Sequence, residues 1–105
     1  MQINDEKMQI IAQRFKAMSE PIRLKILHLL KDCERSVGEI AETLDMKPGT
    51  ASANLNALSK AGLVSSRRDG TKVYYRISNK MVIKICDIAC DCINQEIDAM
   101  IKMQD

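Results

Sequence analysis

Apolar residues recur at helical spacing along most of this chain and switch to strand-like alternation in one place. Met8, Ile11, Ala12, Phe15 and Met18 fall three or four apart, which predicts a helix over 5–18 with one buried face. Ser19 is positioned to cap a second helix that carries Pro21 in its first turn and Ile22, Ile26, Leu29 and Leu30 as its stripe. Ser36 and Glu39 form an S-x-x-E capping box ahead of Ile40, Ala41 and Leu44. A tight turn, Asp45-Met46-Lys47, leads into a fourth helix that starts near Pro48, buries Ala51, Leu55 and Leu58, and stops at Gly62. Leu63–Arg67 and Lys72–Ile77 then alternate around Asp69-Gly70, a hairpin signal. Ser78 or Asn79 caps a last helix over 79–103. The expected fold is mainly α with a small β-hairpin, in one domain over 1–105.

Charge divides the chain differently from hydropathy. Residues 47–76 hold six bases (Lys47, Lys60, Arg67, Arg68, Lys72, Arg76) and one acid, Asp69, whereas 1–46 and 77–105 are each slightly acidic. A basic middle on a near-neutral scaffold is the footprint of a nucleic-acid face. Residues 36–62 therefore read as a helix-turn-helix and 63–77 as a basic wing. The second helix of such a pair offers its N-terminal half to base edges in the major groove. Thr50, Ser52, Ala53, Asn54 and Asn56 are its expected exposed positions, and Asn, Ser, Thr and Ala all have base or thymine-methyl partners. Lys47 and Lys60 would hold the backbone, and Arg67, Arg68 and Lys72 at the wing would add salt-dependent affinity.

Met81, Val82, Ile83, Ile85, Ile88, Ala89, Ile93, Ile97, Met100 and Ile101 make the last helix apolar on more than one side. One stripe can pack on its own domain; the surplus, with helix 5–18, is expected in a homodimer interface. Paired half-sites then call for an inverted-repeat operator in double-stranded DNA. With one Phe and two Tyr, stacking of bases on exposed rings is not the binding mode. The opening residues 1–6 are polar and acidic, which does not read as a signal peptide, and no apolar run approaches the roughly 20 residues a membrane span needs. The expected place is cytoplasmic, with reduced thiols and no membrane partner. No glycine-rich phosphate loop, nucleophile–His arrangement or C-x-x-C points to an enzyme.

Three of the four cysteines fall within seven residues, as Cys86-x-x-x-Cys90-x-Cys92; Cys33 precedes the third helix. Cys86 and Cys90 share a helix face, and Cys92 lies about 200° around from Cys90. One straight helix cannot bring all three sulfurs to one ion, so a three-thiolate site needs unwinding or both subunits. Two readings stay open. The thiols bind a soft divalent metal ion or a metalloid such as arsenite as inducer. Alternatively, Cys33 or Cys92 pairs with a helix thiol as a sulfide or redox sensor. Small buried cysteines of no chemical role are the plain alternative. His28, the single histidine, reads as a solvated helix residue.

The stretch Met18-Ser19-Glu20-Pro21-Ile22-Arg23-Leu24-Lys25-Ile26-Leu27 resembles a signature of the ArsR/SmtB family of bacterial and archaeal repressors. So do Ser36-Val37-Gly38-Glu39-Ile40-Ala41, Ser52 with Leu55, Leu58 and Ala61-Gly62-Leu63-Val64, and Gly70 with Val73-Tyr74-Tyr75-Arg76-Ile77. The resemblance covers about residues 8–93. It implies a dimeric winged helix of order α-α-α-α-β-β-α that represses a promoter until an inducer binds. Metalloid-sensing members often carry E-L-C-V-C-D-L at the third helix, where this chain has Ser36 and Gly38 in place of both thiols. The family's zinc site on the last helix uses histidines that this chain lacks. The alternative class is a winged-helix protein-interaction module without DNA binding.

Overall fold

Among the described residues, four helices precede a hairpin and one follows it. The computed structural model describes residues 3–104; Met1, Gln2 and Asp105, the outermost positions of the expected domain and of its polar N-terminal segment, lie outside the described residues. The order is α1 (Asp5–Met18), α2 (Pro21–Leu29), β1 (Arg35–Ser36), α3 (Val37–Thr43), α4 (Pro48–Lys60), β2 (Val64–Asp69), β3 (Lys72–Ile77) and α5 (Met81–Gln104). Ile26, Leu27, Leu30, Ile40, Ala41, Ala51, Leu55, Leu58, Leu63, Val64 and Val82 meet in one core, with Ala17 and Met18 closing it from α1.

Both ends of the helix-turn-helix are closed by local chemistry. The Ser36 hydroxyl accepts from the Glu39 amide at 3.1 Å and the Glu39 carboxylate accepts from the Ser36 amide at 3.4 Å, so the predicted capping box forms. At the end of α3, the Asp45 amide donates to the Glu42 carbonyl and the Met46 amide to the Ala41 carbonyl. At the end of α4, the Gly62 amide donates to Ser59 and the Leu63 amide to Leu58. These are paired Schellman closures, each needing a left-handed residue. Gly62 takes φ 79° without penalty; Asp45 is held at φ 52°.

The sheet contains a strand absent from the expected order. Arg35 and Ser36 pair antiparallel with Tyr75 and Tyr74, giving a three-stranded sheet β1-β3-β2. Two residues are too few to show alternation, and their partner lies some forty positions away. The hairpin turn is also displaced by one residue. Asp69 opposes Lys72, so the loop is Gly70-Thr71 rather than Asp69-Gly70, with Gly70 at φ 63° in its first position.

Expectations for three of the helices are corrected. Ser19 does not start α2: its hydroxyl donates to the Lys16 carbonyl at 2.7 Å and closes α1, while α2 begins after Glu20 without a side-chain cap. Ile22 is 40% exposed, and Leu27 takes its place in the stripe of α2. On α1, Met8 and Ile11 are half-buried but Ala12 and Phe15 stand exposed. The last helix starts at Met81 rather than 79, with the Asn79 side-chain oxygen accepting from the Met81 amide at 3.0 Å; Ser78 instead donates to the Gly62 carbonyl at 2.9 Å, tying the foot of α5 to the end of α4.

Candidate nucleic-acid interface

The α4 helix turns Ala51, Leu55 and Leu58 inward, so its opposite edge is presented outward by helical geometry alone. Thr50, Ser52, Ala53, Asn56 and Lys60 are exposed on or beside that edge, as is Lys47 just before it. Pro48 lies in the first turn, where its missing amide costs nothing. Asn54 departs from expectation. It is half-buried, its amide nitrogen donates to the Thr50 carbonyl at 2.9 Å, and its oxygen accepts from Arg23 Nε at 3.2 Å. One N–H and one acceptor position of its amide are therefore used within the protein, which fixes the orientation of the group.

Strand alternation sorts the wing residues onto two faces. Arg67, opposite Tyr74, shares one face with Lys72 and Arg76; Arg68, opposite Val73, projects to the other. Arg67 is not an open cation. Its guanidinium donates to both carboxylate oxygens of Glu34, lies 4.6 Å from the centre of the Tyr74 ring, and has Asp69 at 3.9 Å. Hydrogen bonding to Arg67 holds the Glu34 carboxyl below its ordinary pKa, and the same contact raises that of Arg67. Arg68, Lys72 and Arg76 are exposed and make no ion pair among the described residues. Of the wing cations, Lys72 and Arg76 on one face and Arg68 on the other are without an ion pair among the described residues, whereas Arg67 is paired. Arg76 was legible from its alternation with Lys72 and Tyr74; the pairings of Glu34 and of Arg23 have no local sequence signal, because their partners lie 33 and 31 residues away.

The cysteines do not converge. Cys86 is half-buried against the core, Cys90 and Cys92 are exposed along α5, and Cys33 is exposed in the turn after α2. Burial, with Asp87 beside it, pushes the Cys86 thiol up from its ordinary pKa. Cys86 and Cys90 line a groove of about 590 Å³ between α1, α2 and α5, together with Phe15, Met18, Leu24 and His28. Cys92 points elsewhere and donates to Glu96 at 3.7 Å. Among the described residues, no group of three or more His, Cys, Asp or Glu side chains is placed to hold a metal ion.

Beyond Cys86, α5 leaves its apolar residues uncovered. Ile88, Ile93, Ile97, Met100 and Ile101 are all about half exposed or more, on a helix about 36 Å long at 1.5 Å per residue. Its attachment to the domain runs through Val82, Ile83 and Cys86, with a Lys31–Asp87 ion pair at 3.6 Å. No helix among the described residues is long and apolar enough to cross a membrane.

With this geometry in place, residues 20–66, which contain α2, α3 and α4, match the family described as bacterial regulatory protein, arsR family. The chain belongs to the ArsR family. It is similar over most of its length to the solution structure of Mb0332 from Mycobacterium bovis, a homodimeric winged helix-turn-helix DNA-binding domain, at TM-score 0.82 and 37% identity, covering 92% of this chain and 93% of that one. It is 47% identical over 75 residues to the HTH-type transcriptional regulator Rv0324 of Mycobacterium tuberculosis, covering 71% of this chain. It is 40% identical over 75 residues to the cadmium resistance transcriptional regulatory protein CadC of Listeria innocua, covering 70% of this chain. The chain spans 33% of the length of Rv0324 and 63% of that of CadC. Members of this family are DNA-binding transcriptional regulators rather than enzymes, and the fold here is a winged helix-turn-helix.

Proposed function

We propose that this chain is a cytoplasmic, homodimeric repressor that binds an inverted-repeat operator in double-stranded DNA and is released by a thiol-directed inducer. The observation that carries the reading is the edge of α4. Thr50, Ser52, Ala53 and Asn56 stand exposed on a helix whose inner face is buried and whose C-terminus is closed at Gly62, beside a wing whose Arg68, Lys72 and Arg76 lack ion-pair partners among the described residues. Polar side chains on the helix read bases, while the cations of the wing with Lys47 and Lys60 supply the phosphate term. Dimerisation is supported by the uncovered Ile93, Ile97, Met100 and Ile101 of α5, and two copies would set two α4 helices on successive half-sites.

The sensor is proposed on α5. Cys86 and Cys90 share a groove wall, so a soft divalent metal ion or arsenite would draw thiolates from both subunits, or from α5 after local unwinding. A sulfide- or redox-sensing repressor is the second reading, favoured by the exposure of Cys33, Cys90 and Cys92. The test is fluorescence anisotropy on duplexes selected from a random-sequence pool, as a function of salt and with arsenite, cadmium or polysulfide added in turn. Salt-dependent binding lost on adding one of these agents supports the reading. A protein that retains no duplex at low ionic strength overturns it and leaves a protein-interaction module.

A further inference from the structure

Arg23 breaks a local rule. It is the third residue of α2, where the positive end of the helix dipole disfavours a cation. What compensates is outside its own helix. Arg23 Nη1 donates to the Ala17 carbonyl at 3.4 Å, one of the last carbonyls of α1, where a cation is favoured. Its Nε donates to the Asn54 side-chain oxygen at 3.2 Å, across 31 residues of sequence. Asn54 breaks a second rule. Asn is a poor residue for a helix interior, and here its amide nitrogen bonds back to the carbonyl four residues earlier, Thr50, at 2.9 Å. Two unfavourable placements on different helices meet in one hydrogen bond. Together they link the end of α1, the start of α2 and the second turn of α4, on the flank of α4 beside the outward edge.

We infer that Arg23 and Asn54 are positioning residues that set the angle of α4 against the domain, and that Asn54 is not a base reader. This rests on the proposed DNA-binding function and deepens it by removing one residue from the reading set. The bonds to Arg23 and to Thr50 take one acceptor position and one N–H of the Asn54 amide and fix its plane, so turning its two-point edge onto adenine would strain or break the contact with Arg23. Base discrimination then belongs to Thr50, Ser52, Ala53 and Asn56. A fork of fixed N–H groups is needed to serve Ala17 and Asn54 together, and lysine, a point charge, does not replace it.

The test uses the full chain and duplexes selected by the wild-type protein from a randomised pool. Arg23→Ala and Asn54→Ala are each expected to weaken binding tenfold or more, and the double variant to bind within about threefold of the weaker single. Asn54→Ala should weaken every duplex by the same factor, so selection repeated with it returns the same preferred sequence. The salt slope of Arg23→Ala should match that of the wild type, since no phosphate contact is lost. Should Arg23→Ala fail to fold, Arg23→Lys takes its place in the cycle and is expected to be weakened without rescue. Multiplicative losses, or relaxed preference at one base pair with Asn54→Ala alone, overturn this inference and leave the DNA-binding reading standing. A wild-type protein that retains no duplex overturns both.

Discussion

Glu34 and Arg67 close the base of the wing: the Arg67 Nε lies 3.0 Å and 3.2 Å from the two carboxylate oxygens of Glu34, and the guanidinium is stacked over Tyr74. Glu34 directly precedes β1, whose Arg35 pairs with Tyr75, so the ion pair and the strand pairing fasten the same segment to β3. Because the pair is exposed, the Tm change on breaking it is expected to be small. The larger effect is on charge. Glu34→Gln removes the acid that masks Arg67, so binding to non-selected duplex is expected to strengthen and the salt slope to steepen by up to about one unit. Anisotropy titrations over a salt series check this; an unchanged slope would mean that Arg67 stays withheld from DNA without its partner.

The same pair has a signature in pH. Arg67 holds the Glu34 carboxyl below its ordinary value of 4.5. A folded-state value depressed in this way contributes stability that is fully present above 4.5 and disappears as pH falls through the lowered value. An NMR titration of the Glu34 carboxyl carbon should show a midpoint below 4.5 in the wild type, returning to the ordinary range in Arg67→Ala.

Base readers and phosphate holders separate by what their loss does. Asn56→Ala is expected to cost about 1–3 kcal/mol on the selected duplex and to relax preference at one base pair. Arg68→Ala and Lys72→Ala should weaken all duplexes alike and reduce the salt slope by about one unit each. Competition titrations with a panel of single-base variants distinguish the two patterns.

Burial makes Cys86 the slow thiol. Its pKa is raised, so at pH 8 a smaller fraction is thiolate and its sulfur is partly covered. Iodoacetamide should label Cys90 and Cys92 several-fold faster than Cys86, by peptide mass spectrometry of a time course. Equal rates would mean that α5 detaches from the core faster than the reagent attacks.

Local chemistry was readable in the sequence, and docking was not. Ser36 and Glu39 are three residues apart, and Gly62 follows a helical stripe, so capping and stop were visible as spacings. The basic middle located α4 and the wing. What the sequence concealed depends on partners brought together only by folding. Arg35 and Ser36 become a strand because Tyr74 and Tyr75 arrive beside them. Arg67 loses its openness to Glu34, and Asn54 to Arg23. Residue type alone marks the one as a cation and the other as an amide, and type does not reveal whether a neighbour has already claimed the group.

Asp45 supplies a stability prediction on the turn itself. It occupies the left-handed closure of α3 at φ 52°, where an L-residue with a Cβ is strained, and it is exposed. Asp45→Gly removes that strain, although it also loosens the unfolded chain. The balance favours glycine by about 1 kcal/mol, which is a rise in Tm of roughly 4–8 °C for a domain of this size. The matching change at the end of α4, Gly62→Ala, puts a Cβ at φ 79° and should cost a similar amount. Calorimetry on both variants checks the signs.

Ile97 tests the assembly without touching the domain core. It is 48% exposed on the distal half of α5, beyond the attachment through Val82, Ile83 and Cys86. Within one chain, Ile97→Asp removes little buried area, so the helical content and the core should be retained. Between two chains the same change would place an unpaired carboxylate in an apolar contact, which is strongly unfavourable. Sedimentation equilibrium should therefore show Ile97→Asp as a folded monomer where the wild type is a dimer, and affinity for an inverted-repeat duplex should collapse while binding to a single half-site falls far less. If Ile97→Asp stays dimeric and binds normally, the uncovered stripe of α5 serves some other contact and the half-site spacing must be set by a different surface.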